Sequence, residues 1–230
     1  MKTHVLLTGA SRGIGAAIAE TLRGRDVKLF AASSSDADLS CTEGPSRLWQ
    51  DALERLDGRV DVLINNAGVF EASPLDGAND AWLEQWRRTM TINLEAAAVL
   101  CRSAILAWQA AGSAGRIVNV ASRAAYRGDS PAHWHYAASK AGLVALTKTI
   151  ARGYAAEDIL AFAICPGFTE TGMAEDYLAS RGGERLLADI PLGRVAKPVE
   201  IATIAAFLAL DAPPSMTGAV LDANGASYVR

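Results

Sequence analysis

Cysteine is scarce: Cys41, Cys101 and Cys165 are three in 230 residues, odd in number and far apart. That spacing argues against a disulfide frame and reads as reduced thiols in a cytoplasmic protein. Histidine is equally rare. The close pair His133 and His135 lacks a third partner in the sequence, so no metal-ligand set is expected. An excess of either charge is also missing. The formal net charge is −3, with no basic run, which excludes the usual signature of nucleic-acid or membrane-surface binding. No apolar run is expected to reach membrane-spanning length, because the Ala-rich stretches are interrupted by Glu, Arg and Lys. The N-terminus runs directly into a strand pattern, with no signal peptide expected.

What is present is a repeating alternation of short apolar runs and helical patterns. Half the residues are apolar, enough for a sizeable core. Residues 4–8 read as a buried parallel strand. Gly9-Ala10-Ser11-Arg12-Gly13-Ile14-Gly15 follows, then a helical pattern through about Leu22. Strand, glycine turn and helix form the context in which glycines allow close approach to a pyrophosphate, with the helix N-terminus offering free N–H groups. Further strands are expected at Val27–Ala32, Val60–Ile64, Arg116–Ala121, Ile159–Cys165 and Ala219–Asp222, and helices at Pro45–Leu56, 79–111 and Pro198–Leu210. The alternation implies one α/β domain over residues 1–230: a doubly wound, Rossmann-like parallel sheet of about six to seven strands with helices on both faces.

Chemistry concentrates in Tyr136-Ala137-Ala138-Ser139-Lys140. On a helix, Tyr136 and Lys140 share a face. An ammonium beside a phenol is expected to lower the phenol pKa and make it a proton donor and acceptor. Ser122, fourteen residues upstream at a strand end, offers a hydroxyl to hold a carbonyl oxygen beside that phenol. At the end of the second strand stand Ser33, Ser34 and Ser35, with no carboxylate before Asp36. Arg12 and Ser34 are therefore expected at a ribose 2′-phosphate, favouring NADPH over NADH. His133, Trp134 and His135 either line a substrate pocket or form a surface loop with one aromatic packed down.

The spacing Gly9-x-x-x-Gly13-x-Gly15 preceded by Thr8, together with Tyr136 and Lys140, resembles the short-chain dehydrogenase/reductase superfamily. The resemblance implies roles for several further positions. Asn66, Ala67 and Gly68, in Asn65-Asn66-Ala67-Gly68, would lie beside the adenosine ribose. Asn93, in the long helix, would open a kink and anchor a water that links Lys140 to solvent. Pro166, Gly167, Thr169 and Thr171 would contact the nicotinamide or the phosphates, and residues 172–195 would form a substrate flap. Lys140 and Tyr136 would also touch the nicotinamide ribose. The family commonly forms tetramers, through the 80–111 helix and the helix that starts near Tyr136.

Residues 33–44 depart from the pattern. The family usually places a helix and a strand there, the strand ending in an Asp that contacts adenine, which would be Asp38. Too few residues are present for a parallel crossover. Either this edge is truncated, or residues that belong there are absent from the sequence; the crossover requirement favours the second.

The catalytic set expected is Asn93, Ser122, Tyr136 and Lys140. The activity expected is NADPH-dependent reduction of a small-molecule ketone, with 3-oxoacyl thioesters as the leading class. That class is the one the C-terminal half resembles, at Ile190-Pro191-Leu192-Gly193-Arg194 and the helix from Pro198. The alternatives are an alcohol or sugar dehydrogenase in the oxidative direction and a non-catalytic NADP sensor or scaffold.

Overall fold

Short apolar runs joined by helices leave one arrangement open, a parallel sheet buried on both faces. In the computed structural model six parallel strands form one sheet in the order β2-β1-β3-β4-β5-β6. The structure describes residues 2–170 and 187–230. The strands are β1 (Thr3–Leu7), β2 (Val27–Ala31), β3 (Val62–Asn65), β4 (Gly115–Val120), β5 (Ile159–Pro166) and β6 (Val220–Ala223). The principal helices are α1 (Gly13–Arg23), α2 (Gly44–Arg55), α3 (Asn79–Met90), α4 (Ala96–Ala111), α5 (Ala124–Arg127), α6 (Trp134–Tyr154) and α7 (Pro198–Ala206).

Alternation along each strand splits the core into two layers. Val5, Leu7, Val62, Ile64, Val118 and Phe162 face α1 and α7. Leu6, Leu63, Ile117, Ile159 and Ala161 face the opposite layer, which holds α2, α4 and part of α6. The chain winds outward from β1 in both directions. The ends of β1 and β3 therefore diverge, and a crevice opens above them.

The 33–44 segment resolves differently from expectation. β2 is the edge of the sheet, and among the described residues no strand lies beyond it. From Ala31 the chain makes turns at Ser33–Asp36 and around Asp38–Ser40, then enters α2 directly. The parallel crossover is β2–α2–β3, with α2 carrying the chain past β1, so the residues present suffice for it. The truncated edge is real, and the inference of absent residues is corrected.

The long helical segment is also interrupted. Between α3 and α4, residues Thr91–Glu95 form a π-helical turn with Asn93 buried in it. This insertion is the kink expected at Asn93. Taken as one helix, Asn79–Ala111 has 33 residues and a stretch of mean hydropathy 1.4, long and apolar enough to cross a bilayer. That corrects the expectation drawn from its interrupting charges. In this fold the segment is a core helix, with Leu100, Cys101, Ala104, Ile105 and Trp108 buried.

Gly115 opens β4 because Trp108 covers it: an added Cβ would stand 2.2 Å from the indole ring. That indole donates Nε1–H to the Val60 carbonyl at 2.6 Å. Gly115→Ala is expected to displace the ring and strain this bond, costing about 2–3 kcal/mol. Urea denaturation of the two proteins checks it by the shift in midpoint.

Candidate functional site

The diverging strand ends are joined by a polar clasp. Thr8 Oγ1 accepts backbone N–H groups from Asn66 (3.1 Å) and Ala67 (3.0 Å). The Asn66 amide donates in return to the Thr8 carbonyl (3.2 Å) and the Gly9 carbonyl (2.9 Å). Gly9 has φ +67°, and a Cβ on it would meet Ala67 Cα at 2.7 Å. A Cβ on Gly15 would lie 2.0 Å from the Gly9 carbonyl oxygen. These two positions must be glycine for the loop to close on α1. No side chain caps the N-terminus of α1. Its first N–H groups are thus left for an anion, at the positive end of the helix dipole.

A cleft of about 400 Å³ runs from this loop across the sheet's C-terminal edge. It is lined by Gly9, Ser11, Arg12, Gly13, Ile14, Gly15, Ser34, Asp38, Asn66, Ala67 and Gly68 at one end. Ser122, Tyr136, Lys140, Pro166, Gly167 and Thr169 line the other. Every described residue expected at the site is there except Asn93. Thr171 and most of the expected flap (172–195) lie outside the described residues.

Asn93 sits behind the cleft wall. Its Oδ1 accepts Val69 N–H at 2.8 Å and its Nδ2 donates to the Val69 carbonyl at 3.0 Å. A Cβ on Gly68 would approach Asn93 Oδ1 (3.3 Å) and Lys140 Nζ (3.4 Å). The amide and the ammonium therefore converge on one glycine. Below them, Asn65 Nδ2 donates to Asn119 Oδ1 (2.9 Å), and Asn119 Nδ2 to Thr147 Oγ1 (2.8 Å). This buried chain locks β3, β4 and α6 together.

The expected electrostatics of the Tyr–Lys pair are corrected. Burial pushes the Tyr136 phenol up to about 12, and a hydrogen bond with Ser122 only partly offsets it. Lys140 Nζ donates to the Val120 carbonyl at 2.9 Å and lies 5.8 Å from the Tyr136 ring centroid. Burial lowers its own pKa to about 8. Desolvation is the largest influence on the phenol and Lys140 does not offset it, so the phenol holds its proton at neutral pH. That is the form a general acid requires.

Asp38 lines the cleft, but its carboxylate accepts from Ser40 N–H (2.8 Å) and Ser40 Oγ (2.7 Å). Asp36 turns onto the Ser33 backbone N–H (2.9 Å) and pairs with Arg55 at 3.5 Å. His133 and His135 are buried and Trp134 is exposed, and none of the three lines the cleft. His133 stacks on Phe70 (4.0 Å), which meets Tyr136 edge-on (4.7 Å). Sequence reasoning missed Thr8 as a structural partner, and Val69, Phe70, Arg88, Arg123, Asp129 and Phe168 as lining residues. Arg123, the neighbour of Ser122, carried the one readable signal.

A glycine turn opening onto an uncapped helix, continuous with a Ser–Tyr–Lys constellation in one cleft, defines a nucleotide-dependent oxidoreductase of the doubly wound class. Residues 35–225 match the family model described as enoyl-(acyl carrier protein) reductase. The chain is 34% identical to the 3-oxoacyl-[acyl-carrier-protein] reductase FabG of Escherichia coli (strain K12), covering 97% of this chain and 96% of that one. It is 32% identical to an acetoacetyl-CoA reductase of Shinella zoogloeoides, with 99% of each covered. A crystal structure of 3-ketoacyl-(acyl-carrier-protein) reductase from Brucella melitensis, complexed with NADH, superposes with a TM-score of 0.87 at 26% identity, covering 99% of this chain and 98% of that one. The chain belongs to the short-chain dehydrogenase/reductase superfamily.

Lys140→Met removes the buried cation. Below about pH 8 the charge is penalised in the folded state; between 8 and the ordinary 10.5 only the unfolded chain keeps it, and wild-type stability rises. The variant is expected to exceed wild type by roughly 2 kcal/mol at pH 7, after the loss of the Val120 hydrogen bond. Denaturation at pH 7 and 9.5 checks it: the advantage should shrink at the higher pH.

Proposed function

We propose that the protein is an NADPH-dependent ketone reductase, with 3-oxoacyl thioesters as its leading substrate class. One observation carries the reading. Ser122, Tyr136 and Lys140 line the same cleft as the glycine loop, so a bound dinucleotide and a carbonyl would meet there. The names of the curated relatives, which act on 3-oxoacyl and acetoacetyl groups, support the choice of substrate.

The residues present fit the cofactor. The loop Gly9–Gly15 and the N-terminus of α1 would hold the diphosphate, and Asn66–Gly68 the adenosine ribose. Lys140 and the Pro166–Thr169 loop would hold the nicotinamide half. Arg12 and Ser34 would take the 2′-phosphate. The first carboxylate after β2, Asp36, is held by Ser33 and Arg55 and does not line the cleft, and Asp38, which does, is engaged by Ser40; both facts support NADPH over NADH. When bound, the cofactor supplies a hydride to the carbonyl carbon.

The protein's own part is to orient the carbonyl and move one proton. Ser122 holds the carbonyl oxygen. Tyr136 gives that oxygen its phenolic proton as the C=O bond becomes an alcohol. Lys140 and Asn93 lie on the path by which the proton is replaced. Three unpaired cysteines suit a reducing, cytoplasmic compartment.

Following NADPH oxidation with acetoacetyl-CoA tests the reading, and no oxidation with any 3-oxoacyl thioester would sink it. Tyr136→Phe is expected to cut turnover by about 10²–10⁴. Fluorescence titration is expected to give tighter binding of NADPH than NADH. Arg12→Ser should narrow that gap about tenfold, the scale of one charge-assisted hydrogen bond.

A further inference from the structure

Phe70 follows the turn after β3 and lines the cleft with Tyr136. Its backbone is pinned on both sides. The Asn93 amide exchanges two hydrogen bonds with Val69, at 2.8 and 3.0 Å. On the other side, His135 Nε2–H donates to the Glu71 carbonyl at 3.0 Å. Ser73 N–H then donates to the Ala132 carbonyl at 2.8 Å, which ties this segment to the loop before α6.

The Phe70 ring is held as firmly as its backbone. One edge meets the Tyr136 ring at 4.7 Å and 78°, and one face lies flat on His133 at 4.0 Å and 7°. His133 is 4% exposed, and its Nδ1 is hydrogen-bonded to Ser130 Oγ at 2.7 Å. Further rings stand behind it. His135 is parallel to His133 at 6.3 Å, Trp86 follows at 6.5 Å, and Trp82 stacks on Trp86 at 5.3 Å. Phe70 is thus the cleft end of a column of rings that passes the start of α6 and ends on α3. Each such pair contributes about 0.5–1.5 kcal/mol beyond its buried area, and turning the Phe70 ring aside would break two of them.

We propose that Phe70 is a specificity residue that limits the alkyl chain beyond the reacting carbonyl, so that the enzyme favours acetoacetyl-sized groups over longer 3-oxoacyl groups. The proposal rests on the reductase reading and narrows it. The keto carbon of a 3-oxoacyl thioester carries two arms. The thioester arm leads to a carrier too large for the cleft and must run out to solvent. The alkyl arm is the one the protein can enclose, and it begins one bond from the carbonyl that Tyr136 would protonate. Phe70 borders Tyr136, so its ring stands where the first carbons of that arm would lie. The other ring lining the cleft, Phe168, already has the Arg123 guanidinium 4.6 Å from its centre. A wall that could swing would admit longer chains. One backed by packed rings does not give way cheaply, because close-packed interiors resist added methylenes.

The test compares NADPH oxidation with acetoacetyl-CoA and with 3-oxooctanoyl-CoA. Wild type is expected to favour acetoacetyl-CoA in kcat/KM by about tenfold or more, the scale of excluding one or more methylenes. Phe70→Ala should lower that short-to-long ratio by about ten- to a hundredfold, chiefly through a lower KM for 3-oxooctanoyl-CoA. Phe70→Leu should give an intermediate change. NADPH titration of each variant reports whether the cofactor site is intact; Phe70→Leu replaces Phe70→Ala if it is not. A ratio unchanged in a variant that binds NADPH overturns the proposal, since a merely structural role would slow both substrates alike. Wild-type preference for 3-oxooctanoyl-CoA, or equal use of the two, overturns it while leaving the reductase reading in place. Oxidation of NADPH with neither thioester overturns both.

Discussion

The site depends on the clasp between Thr8 and Asn66. One hydroxyl oxygen accepts two backbone N–H groups from the strand-end turn after β3, and one side-chain amide returns two bonds to the end of β1. The sheet reverses its winding direction at this place, and the clasp extends the β1–β3 pairing beyond the last ladder bond, from Thr8 N–H to the Ile64 carbonyl. The clasp sets the width of the crevice. It also brings Gly9 so close to Ala67 that no side chain fits. The same turn carries Gly68 onto Asn93 and Lys140 and leads to Val69, which holds the Asn93 amide. The cofactor end and the chemical end of the cleft are therefore one rigid unit.

Stability and activity pull apart at Lys140. Its ammonium is buried, with the Val120 carbonyl as acceptor. Tyr136 is half-buried, and its proton is held more tightly than in water. Both departures come from desolvation, which acts on the two groups in opposite directions: it disfavours ammonium and phenolate alike. A site arranged this way starts with the proton on the oxygen and a lysine that gives up its charge readily. The fold offsets the cost through the apolar layers on either side of the sheet and the buried Asn65–Asn119–Thr147 chain.

The truncated edge alters the adenosine end and leaves the reaction centre alone. Where β2 is the last strand, turns at Ser33–Asp36 and around Asp38–Ser40 stand in place of a further strand and helix. Asp36 and Asp38 are both spent on local serine contacts, so the ribose side of the cleft presents hydroxyls more than charge. The alignment with the Escherichia coli reductase runs over 241 positions, more than this chain's 230 residues. The alignment therefore contains gaps in this chain.

By itself the sequence determined the alternating α/β architecture, the glycine loop and the Ser122, Tyr136 and Lys140 set. These rest on local rules: period-two and helical patterning, the backbone freedom of glycine, and the four-residue spacing that puts two side chains on one helix face. The interruption at Asn93 was expected from the family resemblance; the residue alone, an amide that competes with helical hydrogen bonds, left it open. Tertiary structure alone decided the rest. Whether Lys140 lowers the Tyr136 pKa depends on burial and on where Nζ points, and neither is a property of the motif. Whether residues 33–44 must supply a further strand and helix depends on which strand is the edge. His133 and His135, beside Tyr136 in sequence, do not line the cleft, while Arg123, Phe70 and Phe168, which belong to no spacing rule, do. Desolvation and strand order are set by packing between residues far apart in the chain, so no local pattern encodes them.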